Sequence, residues 1–312
     1  MITRGDAQAL MPEEVSREII KSLPQASIAF SRMRRTTMAR GQQRMPVLNA
    51  LAQAYWVGGD TGLKQTTKQA WGNKHLFAEE LAAIIPIPEA VIADSDYDIW
   101  GEVRPSLTEA AGALVDLAAI FGTGKPSSWP TSIEDGAAAA GNVITRGAVA
   151  GRDLAGDANA VMKLVAADGH PINGFAADAL LEFDLQDMRD DQGRPIFVSN
   201  LQDQAQGKSL WGRPFTYLNN GAWEADRADL IAGDWSQAIV AVRQDFTFTI
   251  HRDGVISDDA GNIILNLMQQ DSVAMRMVMR VGFQVANPIS RRATVEANRY
   301  PFAVLRPVGF VA

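Results

Sequence analysis

The chain contains no cysteine among its 312 residues. This absence excludes disulfide bridges, cysteine-ligated zinc sites and thiol nucleophiles together. With 47% hydrophobic and 21% charged residues, the composition is that of an ordinary globular protein. The length exceeds the size at which a single core usually stops growing, so we expect at least two lobes. Their stability has to come from packing and association.

The sequence also lacks a long apolar run. The run LAAIIPIP at 81–88, among its longest, is far too short to span a bilayer. Residues 1–15 lack the apolar stretch of a secretory signal peptide. We therefore expect a protein that is made and used in a cytoplasm and makes no contact with a membrane.

Catalytic motifs are missing as well. The chain has no G-x-S-x-G nucleophile elbow. Its histidines are scattered and match no metal-ligand spacing; they are His75, His170 and His251. A competing interpretation, a carbohydrate or nucleotide hydrolase that uses aspartates, has no nucleophile–base pair or metal cluster behind it. We expect no enzymatic activity.

The acidic clusters do not form a metal site. DSDYD at 94–98 begins like a calcium loop, but the sixth and twelfth positions hold Ile99 and Pro105 instead of Gly and Glu. The pairs Asp190–Asp191 and Asp258–Asp259 lie beside glycines, where aspartate is common in turns. We expect neither a metal nor a cofactor.

The stretch IFGTGKPSSWP at 120–130 resembles a phosphate-binding loop but lacks its pattern, because the glycines are two apart and Pro126 follows the lysine. The preceding residues have apolar side chains at helical spacing from Leu107 to Phe121. Ser106 and Glu109 suggest a capping box just after Pro105, where we expect the helical region 88–121 to break. The glycines then indicate a helix C-cap and a hinge.

Positive charge is concentrated near the N-terminus, although the formal net charge is −7. Between Lys21 and Arg44 there are six basic residues and no acidic one. A helix is predicted at 12–23, and residues 24–44 show little periodicity, which indicates an extended arm. Such an arm is either a solvated loop or a segment that meets an acidic neighbour or a polyanion.

Two strand-like segments flank the turn cluster GGDTG at 58–62 and predict a long hairpin. Its returning limb carries Lys64, Lys68 and Lys74. A long hairpin with so little apolar content is not stable alone in water, so it needs a surface to lie on.

Two further strands are predicted towards the C-terminus. DFTFTI at 245–250 alternates apolar and threonine side chains up to the turn signal Asp253-Gly254. Residues 273–285 keep a period of two, with apolar residues on one face and Arg276, Arg280 and Gln284 on the other. The methionines on the apolar face are expected to lie in the core rather than on a metal. Residues 122–235 form a loop-rich α/β lobe.

The order of these elements resembles the major capsid proteins of tailed bacteriophages, the Hong Kong 97 fold. The segments that carry the resemblance span nearly the whole chain: PEEVSREIIKSLPQASIAFSRMRR, AEELAAIIPIPEAVIADS, LQDMRDDQGRPIF with SLWGRPFTYLNN, LIAGDWSQAIVAVRQDFTFTI and QQDSVAMRMVMRVGFQVANP. These are packing signatures, and no single one is diagnostic.

The resemblance implies an α+β fold divided into four parts. These are an N-terminal arm (1–45), an extended β-hairpin or E-loop (46–86), a peripheral domain with a long spine helix and long antiparallel strands (87–121 and 236–292), and an axial α/β domain (122–235 and 293–312). In this family the arm and the hairpin lie over neighbouring subunits.

The implied function is that of a major capsid protein. Copies would assemble through pentamers and hexamers into an icosahedral shell around a double-stranded DNA genome, in the cytoplasm of a host bacterium, and become the virion capsid. The expected partners are a portal protein, a separate scaffolding protein, in some cases a decoration protein, and DNA held by non-specific contacts. The alternative with the same fold is an encapsulin-type nanocompartment that encloses a cargo enzyme.

The charged side chains of the arm and hairpin are the candidate contacts between subunits, since charge in segments without a core needs partners elsewhere. They are Arg32, Arg34, Arg35, Arg40, Lys64, Lys68 and Lys74.

Two departures from the family pattern shape the expectations about partners and cross-links. Many members begin with a long cleavable helical segment, whereas here the arm starts almost at once, so we expect a separately encoded scaffold. Some members join a hairpin lysine to a neighbour's asparagine. No motif here places that asparagine, so we expect no cross-links and no subunit ladders in hot denaturant.

Overall fold

The structure is a computed structural model that describes residues 27–58, 62–95, 98–189 and 209–310. The helix predicted at 12–23 and the pair Asp190–Asp191 lie outside the described residues, as does part of the acidic stretch 94–98.

Within these ranges the chain forms six α-helices and fourteen strands. The helices are α1 (Ile28–Arg32), α2 (Glu89–Asp94), α3 (Ile99–Ile120), α4 (Ile133–Ala139), α5 (Leu154–Ala167) and α6 (Leu180–Gln186). The strands are β1 (Arg34–Thr37), β2 (Gln42–Ala50), β3 (Ala70–Phe77), β4 (Glu79–Pro88), β5 (Val143–Thr145), β6 (Gly174–Asp178), β7 (Ser209–Leu210), β8 (Arg213–Leu218), β9 (Leu230–Gly233), β10 (Ala238–His251), β11 (Val255–Ser257), β12 (Ile263–Asn266), β13 (Ser272–Val285) and β14 (Phe302–Arg306).

The long helix α3 begins earlier than the sequence predicts. Its N-cap is Asp98, whose side chain accepts a hydrogen bond from the Gly101 backbone N–H, and the helix runs through Pro105 without the expected break. The capping box predicted at Ser106 is therefore wrong. Proline removes one helical hydrogen bond, but the turn before it is held by Trp100 and Val103, which pack against a cluster of α3 and β13 side chains.

The predicted end of this helix is confirmed. Phe121 is the C-cap and Gly122 follows with φ 78°, a left-handed conformation that favours glycine. The Gly122 N–H donates to the Leu117 carbonyl, as expected where a helix stops. The glycines of IFGTGKPSSWP therefore terminate a helix.

A four-stranded sheet in the order β1-β10-β13-β4 lies against α3. The apolar face predicted for 273–285 is confirmed: every odd-numbered residue is buried, the methionines included. On the other face Arg276 is exposed, whereas Ala274, Gly282 and Gln284 near the strand ends are buried too. Met275 and Met277 pack with Leu107 and Ala111 of α3, while the later odd-numbered residues of β13 join the main core. The strand predicted at 245–250 is the second half of β10, and the small β11–β12 sheet follows it.

A six-stranded sheet in the order β5-β14-β9-β6-β8-β7 forms the second lobe. Its central strands are buried on both faces. In β14, Phe302 and Val304 enter the main core, which also holds α3 and α4, while Ala303 and Leu305 enter a second core with α5 and α6. Because the main core takes residues from both sheets, the two lobes share one hydrophobic centre.

The arm is not fully extended, which corrects the expectation for residues 24–44. Ile28–Arg32 forms the short helix α1, and Ile28 and Ala29 are fully buried. The carboxylate of Asp116, buried in α3, accepts hydrogen bonds from the Ala29 N–H (2.7 Å), the Ile28 N–H (3.1 Å) and the Ser27 hydroxyl (2.7 Å). It thereby satisfies donors at the start of α1 that have no partner within the helix. Burial raises the pKa of Asp116, and these hydrogen bonds oppose the shift.

We expect the substitution Asp116→Asn to detach α1 from α3. The amide would turn one acceptor oxygen into a donor group facing N–H and O–H donors, so the free energy of unfolding should fall by about 1–3 kcal/mol. Urea unfolding measures this loss, and amide hydrogen exchange at Ile28 and Ala29 locates it. Asp259→Asn, at an exposed turn position, is the control. Equal stability of the two variants would contradict this role of Asp116.

Candidate functional site: the arm and hairpin surfaces

The hairpin predicted around 58–62 is present as the antiparallel pair β2–β3, whose register runs from Gln42 opposite Phe77 to Ala50 opposite Ala70. Its base is anchored by Leu76, which is buried with Met38 and residues of β10. Beyond the strands the limbs still face each other, because the Gln53 N–H donates to the Thr67 hydroxyl at 2.8 Å. The pair forms a two-stranded sheet of its own, an arrangement of marginal stability in water.

The outer part of this hairpin carries large apolar side chains that are exposed. Trp56 is fully exposed and Leu63 is 93% exposed, with Tyr55 and Val57 about half exposed. We call these four residues the apolar tip. A contiguous exposed apolar segment of this kind marks a contact with another molecule. The charge pattern of the sequence does not point to these residues. The signal was an aromatic–aromatic–valine run, YWV at 55–57, in a segment with no core.

The predicted lysines fall into two situations. Lys64 and Lys68 are exposed on the returning limb of the hairpin. Lys74, in β3, forms an ion pair with Glu296 at 2.6 Å, so its charge is already engaged within the chain. Whether the three lysines contact another subunit stays a prediction.

The four predicted arm arginines lie on α1, on β1 and just beyond it. Arg32 donates from Nε to the Thr216 hydroxyl at 2.7 Å, and Arg35 lies 5.8 Å from the centre of the Phe30 ring, a cation–π contact. Arg34 and Arg40 are exposed. Among the described strands, β1 pairs with β10 alone and lies at the edge of the sheet, so Arg34 adds positive charge to that edge. The role of the four arginines between subunits also stays a prediction.

Two further exposed apolar groups lie outside the arm and hairpin. The first is on β11, β12 and the turn that follows: Val255, Ile263, Ile264 and Met268. The second is on α6, where Leu180 and Phe183 are 68% and 61% exposed while Leu181 and Leu185 face the core. The isolated chain therefore presents several apolar surfaces, a pattern typical of a subunit.

The buried charged side chains hold elements of the fold together. Glu134 in α4 is 1% exposed and is bound by Arg227 and by Arg306, the latter at 2.7 Å. Arg227 also donates to the carbonyl of Phe121 at the end of α3. A buried carboxylate matched by two guanidinium groups holds α3, α4 and β14 together.

The three histidines lie apart, on β3, after α5 and at the end of β10. His170 is buried, and burial lowers its pKa against the opposing effect of Asp234 and Asp168. No group of three His, Asp or Glu side chains placed to hold a metal is found in the described part of the chain. In that same part, no helix combines the length and the apolar character needed to cross a membrane.

The sequence matches the phage capsid family over residues 7–290. Because this match covers nearly the whole chain, the protein belongs to that family, which confirms the resemblance inferred from the order of its elements.

Individual proteins that are similar to this chain come from phages as well. The major capsid protein of Staphylococcus phage 80alpha is 23% identical over 265 residues, which are 79% of this chain and 72% of that protein. A solved chain from Microbacterium phage Oxtober96 is 36% identical with a TM-score of 0.86, covering 98% of this chain and 99% of the other. One from Mycobacterium phage Cain is 30% identical with the same TM-score and full coverage of both chains. The α+β fold is thus shared with phage chains along its whole length, and the encapsulin-type alternative is not favoured.

We expect Trp56→Ser and Leu63→Ser to impair association and leave the fold intact. Both side chains are exposed, so the free energy of unfolding of the unassembled chain should change by less than about 0.5 kcal/mol. Burying such a side chain in a contact contributes about 1.5–3 kcal/mol, so the concentration needed for association should rise at least roughly tenfold. Light scattering against concentration measures this. Thr66→Ala on the same hairpin is the control, and unaltered association of both serine variants would contradict the role of the apolar tip.

Proposed function

We propose that this chain is the major capsid protein of a double-stranded DNA phage, and that its copies associate through pentamers and hexamers into a closed icosahedral shell. The observation that carries the proposal is the apolar tip: a chain of the phage capsid family holds exposed tryptophan and leucine side chains on a two-stranded hairpin without a core beneath it. Such a segment becomes stable when another copy covers it.

The proposed parts of the subunit have separate tasks. Residues 1–45 and 46–86, the arm and the E-loop, extend over neighbours. The peripheral domain (87–121 and 236–292) supplies the spine helix α3 and the long strands β10 and β13, while the axial domain (122–235 and 293–312) surrounds the symmetry axes. The strands of the six-stranded sheet all lie in 122–235 and 293–312, and β10 and β13 lie in 236–292, which supports this division. The four-stranded sheet also takes β1 from the arm range and β4, whose residues 79–86 fall in the E-loop range.

Assembly energy on this proposal is the sum of many modest contacts. Each subunit meets several copies, and closure of the shell makes each later contact intramolecular, so weak interfaces add up to a stable particle. The apolar surfaces of the hairpin tip, of β11–β12 and of α6 supply the hydrophobic part. The excess of acidic residues outside the arm keeps free subunits soluble.

The basic arm is proposed to contact acidic neighbours and packaged DNA. Such contacts neutralise phosphates without reading sequence, so they weaken as salt rises. A scaffolding protein, a portal protein and, in some particles, a decoration protein are the further proposed partners. The protein acts in the virion capsid after assembly in the bacterial cytoplasm, and it performs no catalysis.

Electron microscopy of the purified full-length chain tests this function, with ultraviolet absorbance read on particles from a phage lysate. We expect closed icosahedral shells or rings of five and six subunits, and nucleic-acid absorbance in the lysate particles. Shells filled with a cargo protein instead of DNA would support a nanocompartment. A monodisperse monomer that forms neither rings nor shells would contradict the proposal.

Reversing charge on the arm tests its contribution separately. The double variant Arg34→Glu with Arg40→Glu replaces two exposed cations by anions, and we expect particle yield at low ionic strength to fall roughly tenfold because attraction to acidic neighbours becomes repulsion. Arg252→Glu, exposed and outside the arm, is the matched control. Equal yields from the unmodified chain, the double variant and the control would show that Arg34 and Arg40 make no assembly contact.

A further inference from the structure

The connection between β13 and β14 is built around a buried cation. Arg299 is 2% exposed, and its guanidinium donates to the backbone carbonyls of Pro288 (3.2 Å), Thr294 (3.0 Å) and Asn287 (3.3 Å). The Asn287 side chain donates back to the Arg299 carbonyl at 3.0 Å. Removing any of these carbonyls from reach would leave a buried charge short of partners, which is costly. Residues 287–299, which we call the clasp, are therefore held in one shape.

The clasp contacts both limbs of the hairpin, along β2 and β3 and just past the end of β2. On the outgoing limb, the Ile289 N–H donates to the Leu48 carbonyl and the Arg291 guanidinium donates to the Ala52 carbonyl, both at 3.2 Å. On the returning limb, Lys74 forms its 2.6 Å ion pair with Glu296. A cavity of about 150 Å³ separates the clasp from the hairpin between these points. The two parts thus meet through a few polar contacts on either side of this cavity.

These contacts differ in how easily they open. The side chains of Lys74 and Glu296 are 34% and 49% exposed, so water can replace their contact. A partly exposed ion pair stabilises weakly and exchanges readily. The Arg299 side chain is almost fully buried, so water replaces its hydrogen bonds much less readily. The hairpin can therefore leave the clasp while the clasp keeps its shape.

We propose that the clasp fixes the direction in which the hairpin leaves the body of the subunit, and that the Lys74–Glu296 ion pair is its release point. This rests on the proposed function to the extent that hairpin direction decides which neighbour the apolar tip meets. It also changes the role expected of Lys74: the side chain is engaged in its own chain and becomes available to a neighbour only after release. Free subunits would keep a single hairpin direction, and releasing the hairpin from the clasp would require breaking one ion pair and two hydrogen bonds. The hydrogen bond from the Gln284 side chain to the His75 carbonyl and the buried Leu76 would still hold the base of the hairpin on the body.

The absence of cysteine gives a direct test. Spin labels on Thr66→Cys in the hairpin and Ala225→Cys in the body would be the only two labels, and both positions are exposed. Pulsed electron resonance of the dilute, unassembled full-length chain then reports the distribution of hairpin directions. In Glu296→Gln and in Lys74→Met we expect the fraction of molecules outside the main distance to rise about two- to fivefold, the effect of losing one partly exposed ion pair.

Controls separate release from general damage. Lys68→Met removes the same charge from the same limb and is expected to leave the distance distribution unchanged. The swapped pair Lys74→Glu with Glu296→Lys should restore the narrow distribution. Unchanged distributions in both single variants, or equal broadening in Lys68→Met, would overturn the proposal. Since the chain is measured unassembled, a failure to form shells would count against the proposed function and leave this result interpretable.

Discussion

A two-stranded antiparallel sheet buries little apolar surface, so it is at best marginally stable alone in water. The rest of the subunit is arranged around a hairpin with this limit. The hairpin is anchored at its base through Leu76 and along its limbs through a few polar contacts with the clasp, while its tip exposes tryptophan and leucine. On the proposed function, another copy covers this tip and stabilises it. The body in turn has to be rigid enough to present the hairpin, and it achieves this with a main core that α3 shares with both sheets. The polar anchors at Asp116 and Glu134 tie the arm and the second lobe to that frame, and Arg299 holds the clasp in shape from within.

Regular burial is the part of this fold that sequence reasoning predicts well. The period of two in β13 is visible in the sequence because one face of the strand is buried along its full length. The end of α3 is visible because the glycine after it, Gly122, adopts a positive φ. The break expected at Pro105 was wrong because local propensity yields to packing by Trp100 and Val103. The helix α1 was missed because its stability depends on Asp116, nearly ninety residues away in sequence.

The candidate site was harder to predict, for a related reason. Charged residues in a segment without apolar periodicity can be recognised from the sequence. The arm arginines and hairpin lysines were therefore predicted as contacts between subunits. Sequence does not show that Glu296 lies against Lys74, or that Thr216 meets Arg32, since both pairs are made by the fold across long stretches of chain. Exposure of the apolar tip is equally invisible in composition, because Trp56 and Leu63 are the residue types that usually fill a core.

The most direct measurement is a cryo-electron microscopy map of the assembled particle at side-chain detail, read at the hairpin tip. The account predicts that Trp56 and Leu63, exposed in the isolated chain, are covered by a second copy, with the rest of the subunit keeping the fold described here. A particle in which both side chains still face solvent, or in which the hairpin folds back onto its own chain, would contradict it.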